Sequence, residues 1–434
     1  MRIPLPIRSA IFMTAFYTSS IVIANANDQA TSDTPSPREI LDQKQAIKTK
    51  AAMDIVQQWR GATPQKGKRS LKIVYWSPSD REPQPEHKTR LNDILLDIQQ
   101  YYAQEMERNG LGKLSIKFDK TPAGKIEIIE VMGKHPYSHY QVNSGSEILN
   151  ESKETLKQYD INADDETIVI FCNMSNWDAD KRTINQNSPY YARGSSTSGV
   201  AWQVDSAILK IEDLTNMEDR VRDGQYGDIT LGKYNTIFIG GIAHELGHAF
   251  ALPHNLETRE EHAAYGIALM GSGNRAYGNE RRKDGKPAFL TQASALKLAT
   301  HPMFSGVTKE MKKGVNYSYK DLQMSTNGNN EAVFKGKISS SIPCYAVVAY
   351  IDPDGGSNYD ATSYVAIPDK DGNFTVQCPA DGFKRRGKNT KGAVRFVSYF
   401  ANGAYTSNHY PANKGFIPYS FNDERKLILG KPSF

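Results

Sequence analysis

GGIAHELGHAFALPHN, Gly240 to Asn255, decides how the rest of the chain is read. It opens as an apolar helical pattern, then places His244, Glu245, His248 and His254 close together. Helix residues four apart lie one turn apart on the same face, so His244 and His248 can turn both imidazoles toward one ion, with Glu245 beside them. Pro253 disfavours further helix, so the chain should turn after Phe250 and bring His254 back toward the same point. Three histidines leave a tetrahedral zinc one open position. A structural zinc is instead closed by four ligands, usually including cysteine, and Cys172, Cys344 and Cys378 all lie elsewhere.

HELGHAFALPH, followed by YGIALMGSGN with Met270, resembles the signature of the metzincin zinc metallopeptidases, HExxHxxGxxH with a later Met-turn. The motif covers roughly residues 240–274, the order of strands and helices before it is similar to the clan's N-terminal subdomain, and the nearest likeness is to secreted bacterial members. The resemblance implies one catalytic Zn2+ held by His244, His248 and His254, Glu245 as the general base, Met270 in the turn beneath the metal, and hydrolysis of peptide bonds by a zinc-bound water. Two positions depart from the pattern. Ala251 replaces the glycine, and a positive φ costs alanine about 1 kcal/mol or more, so an altered turn is expected but not a lost ligand. Ser272 stands where some metzincins carry a tyrosine that polarises the substrate carbonyl, which leaves Tyr265 and Tyr277 as nearby candidates for stabilising the oxyanion. Should His254 not reach the ion, Glu257, Glu260, Glu261 and His262 are the next donors.

Outward from the motif, LKIVYW, KIEIIEV and TIVIFC alternate with a helical pattern over 87–109 that sets Leu91, Ile94, Leu95, Ile98 and Tyr102 on one face. The expected class is α/β (α+β) with a mixed, mainly parallel sheet, over residues 68–307. GVAWQV reads as a strand whose edge could pair with an extended peptide. Beyond Lys313, short β-type runs separated by DPDGG, DKDGN and FKRRGKN predict an all-β sandwich over 313–434. The two Asp-Gly stretches lack a calcium loop's closing glutamate and read as turns. With all the proposed chemistry upstream, a chain ending near Val307 should keep activity on small peptides.

Residues 1–26 read as a secretory signal peptide: Arg2 and Arg8, an apolar run from Ala10 to Ile23, then Ala-Asn-Ala. The run is too short for a membrane span. Residues 27–67 hold a flexible lead and then a helix over 38–59, either a short pro-segment or a helix packed on the domain. Export to the extracellular space or periplasm permits disulfides, and Cys344 and Cys378 are a possible pair, whereas Cys172 reads as a buried thiol. The net charge of +5, from 53 basic and 48 acidic residues, gives no support to a nucleic-acid partner. His135, His139 and His301 show no metal spacing. The expected activity is that of a secreted zinc endopeptidase on protein or peptide substrates; the alternative is an inactive metzincin-like scaffold that binds glycan or protein.

Overall fold

LKIVYW, TIVIFC and GVAWQV are rich in β-branched and aromatic residues, the composition of strands buried on both faces. They form β1 (Lys72–Ser77), β3 (Thr167–Cys172) and β5 (Gly199–Val204), joined by β2 (Ile128–Met132) and β4 (Tyr191–Gly194). In this computed structural model, residues 35–353, 360–383, 391–406 and 416–432 are described. Residues 1–26, expected to be a signal peptide, most of the DPDGG stretch and KRRGK at 384–388 lie outside the described residues. The sheet runs β2-β1-β3-β5-β4, parallel throughout except for β4, which pairs antiparallel with β5. This corrects the reading of GVAWQV as an open edge: β4 covers it, with Arg193 opposite Val200, and the free edge belongs to β4. YARG is too short and polar to announce itself as a strand.

Side chains along β1, β3 and β5 alternate between two cores. Ile73, Tyr75, Val169, Phe171 and Ala201 pack with α2 (His87–Arg108), whose Leu91, Ile94, Leu95, Ile98 and Tyr102 are fully buried as expected. Val74, Trp76, Ile168, Ile170 and Trp202 pack with Ile148 and Leu156 of α3 (Gly145–Gln158). Arg90 of α2 makes a buried bidentate pair with Asp205, just past β5, with both contacts at 3.0 Å, and Tyr75 Oη donates to the same carboxylate at 2.9 Å. A small four-stranded sheet between Ser175 and Thr230 leads into α4 (Leu231–Ala249). Thr230 caps α4 by accepting from Lys233 N–H, and the helix is buried almost all round, so its apolar run lacks an exposed polar face.

After α4 come a short helix at Arg259–Ala264 and α5 (Gln292–Thr300), and then the sandwich. Its strands are β6 (Tyr317–Thr326), β7 (Ala332–Ser340), β8 (Cys344–Asp352), β9 (Thr362–Ala366), β10 (Asn373–Cys378), β11 (Lys391–Phe400), β12 (Phe416–Phe421) and β13 (Leu427–Leu429). Antiparallel sheets β6-β7-β10 and β9-β8-β11-β12-β13 bury the alternating apolar residues between them. Cys344 and Cys378 do not pair. They are free, buried thiols in different sheets, as Cys172 is in the α/β core.

The helix expected over 38–59 is α1 (Pro37–Arg60), started by a Ser36/Glu39 capping box. It packs on the body of the protein. Ala52 and Val56 enter the sandwich core together with Ala293 and Leu296 of α5, Lys48 Nζ donates to Val365 O at 2.8 Å, and Gln292 Nε2 donates to Gln45 O at 2.7 Å. Residues from Ser36 onward form one compact unit. No helix among the described residues is long and apolar enough to cross a membrane.

Candidate metal centre

The last turns of α4 place His244 and His248 on one face, and both rings are held by backbone carbonyls. His244 Nδ1 lies 2.6 Å from Leu269 O and His248 Nδ1 lies 2.8 Å from Leu252 O. A carbonyl can only accept, so each Nδ1 carries the proton and each Nε2 an exposed lone pair. The Nε2 of His248 then lies 3.1 Å from that of His244 and 3.0 Å from that of His254. One donor atom from each ring lies within 4.8 Å of the others. With no proton between His244 and His248 their lone pairs repel, and a shared cation relieves the repulsion. The set fits a tetrahedral zinc with one position open. Burial, then the neighbouring His248, holds the pKa of His244 down at about 3; burial lowers that of His248 too, so both rings are in the neutral form that metals bind. Glu245, between them in sequence, is largely desolvated, which pushes its pKa up to about 8.

His254 is returned to this point by a Schellman turn. Leu252 N–H donates to Gly247 O at 2.9 Å and Ala251 N–H to His248 O at 2.8 Å, with Ala251 at φ 67°. The altered turn expected from the missing glycine is therefore not what forms: alanine takes the left-handed conformation itself. An added donor fixes it there, since Lys297 Nζ of α5 donates to Ala251 O. Past His254, Asn255 N–H donates to Met270 O at 3.0 Å and its Nδ2 to Thr291 Oγ1 and Ser363 Oγ at 2.6 and 3.0 Å.

Met270 is buried beneath α4, its sulfur occupying the notch left by Gly247, where a Cβ would collide with it. Neither tyrosine offered for the oxyanion role has an available hydroxyl. Tyr265 donates to Asp42 on α1 at 2.6 Å and Tyr277 to Asp97 on α2 at 2.7 Å. Two of the three reserve carboxylates are used elsewhere. Glu257 accepts from Ala268 N–H at 2.8 Å, and Glu261 closes a capping box on Thr258. His135 and His139, which carried no metal spacing in sequence, do come together: their rings stack at 4.1 Å and His139 Nε2 lies 2.9 Å from Glu147 Oε1, all three exposed. His301 is buried against Phe250 and Phe304.

Two residues at the site were not read from the sequence. Tyr190, just before β4, puts its hydroxyl into the notch of Gly241, one turn ahead of Glu245, with no hydrogen-bond partner among the described residues. Burial, then the Glu245 carboxylate, raises its pKa well above the ordinary value. Lys297 is a buried lysine in LTQASALKLAT, and a single charged residue inside an otherwise uncharged helix is the available signal.

No protein-family model matches the chain, and no curated protein does. Solved structures do. Wild-type OgpA from Akkermansia muciniphila superposes with a TM-score of 0.66 at 28% identity, over 85% of this chain and 97% of that one. Catalytically inactive OgpA in complex with an O-glycopeptide substrate, glycodrosocin, gives 0.67 at 27%, with the same coverage. The chain thus shares both its α/β region and its sandwich with an enzyme whose crystallised substrate is an O-glycopeptide.

Proposed function

We propose that this protein is an exported zinc-dependent endopeptidase that cleaves peptides carrying O-linked glycans. The observation that carries the reading is the convergence of three histidine Nε2 atoms next to Glu245 at the end of α4. The likeness to OgpA supports the glycosylated substrate, and the leader at 1–26 supports export. Zinc at this site would polarise the scissile carbonyl and bring the pKa of water to about 7.

His244, His248 and His254 would hold the ion through their Nε2 atoms. Glu245 takes a proton from the attacking water and passes it to the leaving amine, and its weak desolvated acidity suits both transfers. The substrate backbone pairs with the free edge of β4, where Tyr191 and Arg193 are exposed. Tyr190 ties this edge to α4 through Gly241, which keeps the edge beside Glu245.

Purified mature protein is incubated with an O-glycopeptide and with its unglycosylated counterpart, each with and without a zinc chelator. Cleavage of the glycopeptide that the chelator abolishes is expected, with the bare peptide cut more slowly. Glycopeptide binding without any cleavage would replace the peptidase with the binding scaffold.

A further inference from the structure

We infer that the β-sandwich is a working part of the metal centre: Tyr405 and Lys297 together position the turn that presents His254. The inference rests on the reading of the histidine triad as a zinc site.

His254 lies between two clamps. On its N-terminal side, the carbonyl of Ala251 accepts from Lys297 Nζ, and the Lys297 ammonium sits 3.3 Å from the centroid of the Tyr405 ring. Tyr405 lies just past β11 and bridges back to Tyr399, so the face that receives the ammonium belongs to the sandwich. On the C-terminal side, Asn255 Nδ2 donates to Ser363 Oγ at 3.0 Å and Leu256 N–H to Ala361 O at 2.7 Å, a bridge to the start of β9. The short segment that carries the third histidine is thus fastened at both ends to the sandwich.

Lys297 is an expensive choice for mere packing. It is only 6% exposed, and among the described residues no carboxylate pairs with it. A buried ammonium without a counter-charge is costly, and methionine would fill similar space without that cost. Methionine cannot donate to the Ala251 carbonyl. The lysine supplies a fixed donor to a turn in which alanine occupies a left-handed position; burial pulls its pKa down to about 7, and the aromatic face of Tyr405 opposes that by favouring the charged form, the stronger donor.

Zinc affinity of the full-length protein, measured by chelator competition at one pH, tests this for wild type, Lys297→Met, Tyr405→Leu, the double variant and His254→Ala, alongside the melting temperature of each metal-free form. Lys297→Met should melt no lower than wild type yet bind zinc about 10–100-fold more weakly, the usual cost of losing a group that orients a ligand. Tyr405→Leu should lose about threefold to tenfold. The double variant should match Lys297→Met alone, because Tyr405 acts through the lysine. Wild-type affinity in Lys297→Met, or losses that add in the double variant, overturns the inference. Should Lys297→Met not fold, unchanged affinity in Tyr405→Leu overturns it equally. If His254→Ala binds zinc as wild type does, the triad reading fails and takes this inference with it; if only His254→Ala is weakened, the inference alone fails.

Discussion

The Nδ1–H of His244 donates to the carbonyl of Leu269 at 2.6 Å, so the first histidine of α4 is oriented by the turn that carries Met270. His248 is oriented by Leu252, within the turn that carries His254. Each acceptor is a backbone atom, so ring orientation in this site depends on the shapes of two turns and is sensitive to whatever deforms them.

Gly247→Ala is the smallest such deformation. Its Cβ would meet the Met270 sulfur, and the Met270 side chain, the turn that carries it or α4 must shift. The variant should be about 1–3 kcal/mol less stable, as overpacked cores are, and should hold zinc less tightly. Calorimetry and chelator competition measure the two; wild-type values in both would show that Met270 moves aside freely.

Glu245→Gln should leave a folded, zinc-loaded protein whose kcat/KM on a cleavable peptide falls by at least about 100-fold, the typical worth of a general base. It should also change the response to alkali. The carboxyl's folded pKa of about 8 stands above its ordinary value of 4.5, so its contribution to stability is full below pH 4.5 and is lost as pH rises through 8. In the metal-free protein, glutamine should flatten stability across that window. Undiminished cleavage would take Glu245 out of the mechanism.

Acid should destabilise the metal-free protein through histidines buried in neutral form. Burial holds both His244 and His301 at about 3, below the ordinary 6.5, so the unfolded chain takes up protons that the fold refuses, and stability present above 6.5 is lost as pH falls toward 3. Each histidine contributes up to about 1.4 kcal/mol per pH unit inside the window. His301→Asn, which can still accept from Met303 N–H as a cap, should lessen the slope of stability against pH between 6 and 4. An unchanged slope would mean that His301 is already protonated or free to become so.

What could be read from sequence was what neighbouring residues determine. Two histidines one helical turn apart, a proline that disfavours further helix, and β-branched runs fix local geometry, and the structure brings the Nε2 atoms of His244, His248 and His254 together and seats Met270 against Gly247. Tyr265 and Tyr277 are close to Met270 in sequence, but their hydroxyls donate to Asp42 and Asp97 on helices far upstream. β6 is hard to delimit from sequence because it is a half-exposed edge strand with charged residues and a bulge near Asp321, so no clean alternation marks it. The exposed edge of β4, the partner of Lys297 and the clamp on Asn255 are all tertiary facts that local pattern does not encode.

Removing the sandwich should cost the fold, against the expectation from sequence. A chain ending near Val307 would expose Ala52, Val56, Ala293 and Leu296 and lose the contacts of Ser363 and Ala361 with the His254 segment. Circular dichroism and thermal melting of the truncated protein should show a broad or absent transition. A sharp wild-type melt with retained peptidase activity would establish an independent catalytic domain.

The central claim, a zinc ion held by three histidines that is required for peptide cleavage, is tested most directly by reconstitution. Protein stripped of metal is titrated with zinc while bound metal and O-glycopeptide cleavage are followed together, with His254→Ala in parallel. Activity should rise from near zero and saturate at one zinc per chain, and His254→Ala should need far more zinc or never recover. Full cleavage by the stripped protein, or recovery of His254→Ala at the same zinc concentration as wild type, would contradict the account.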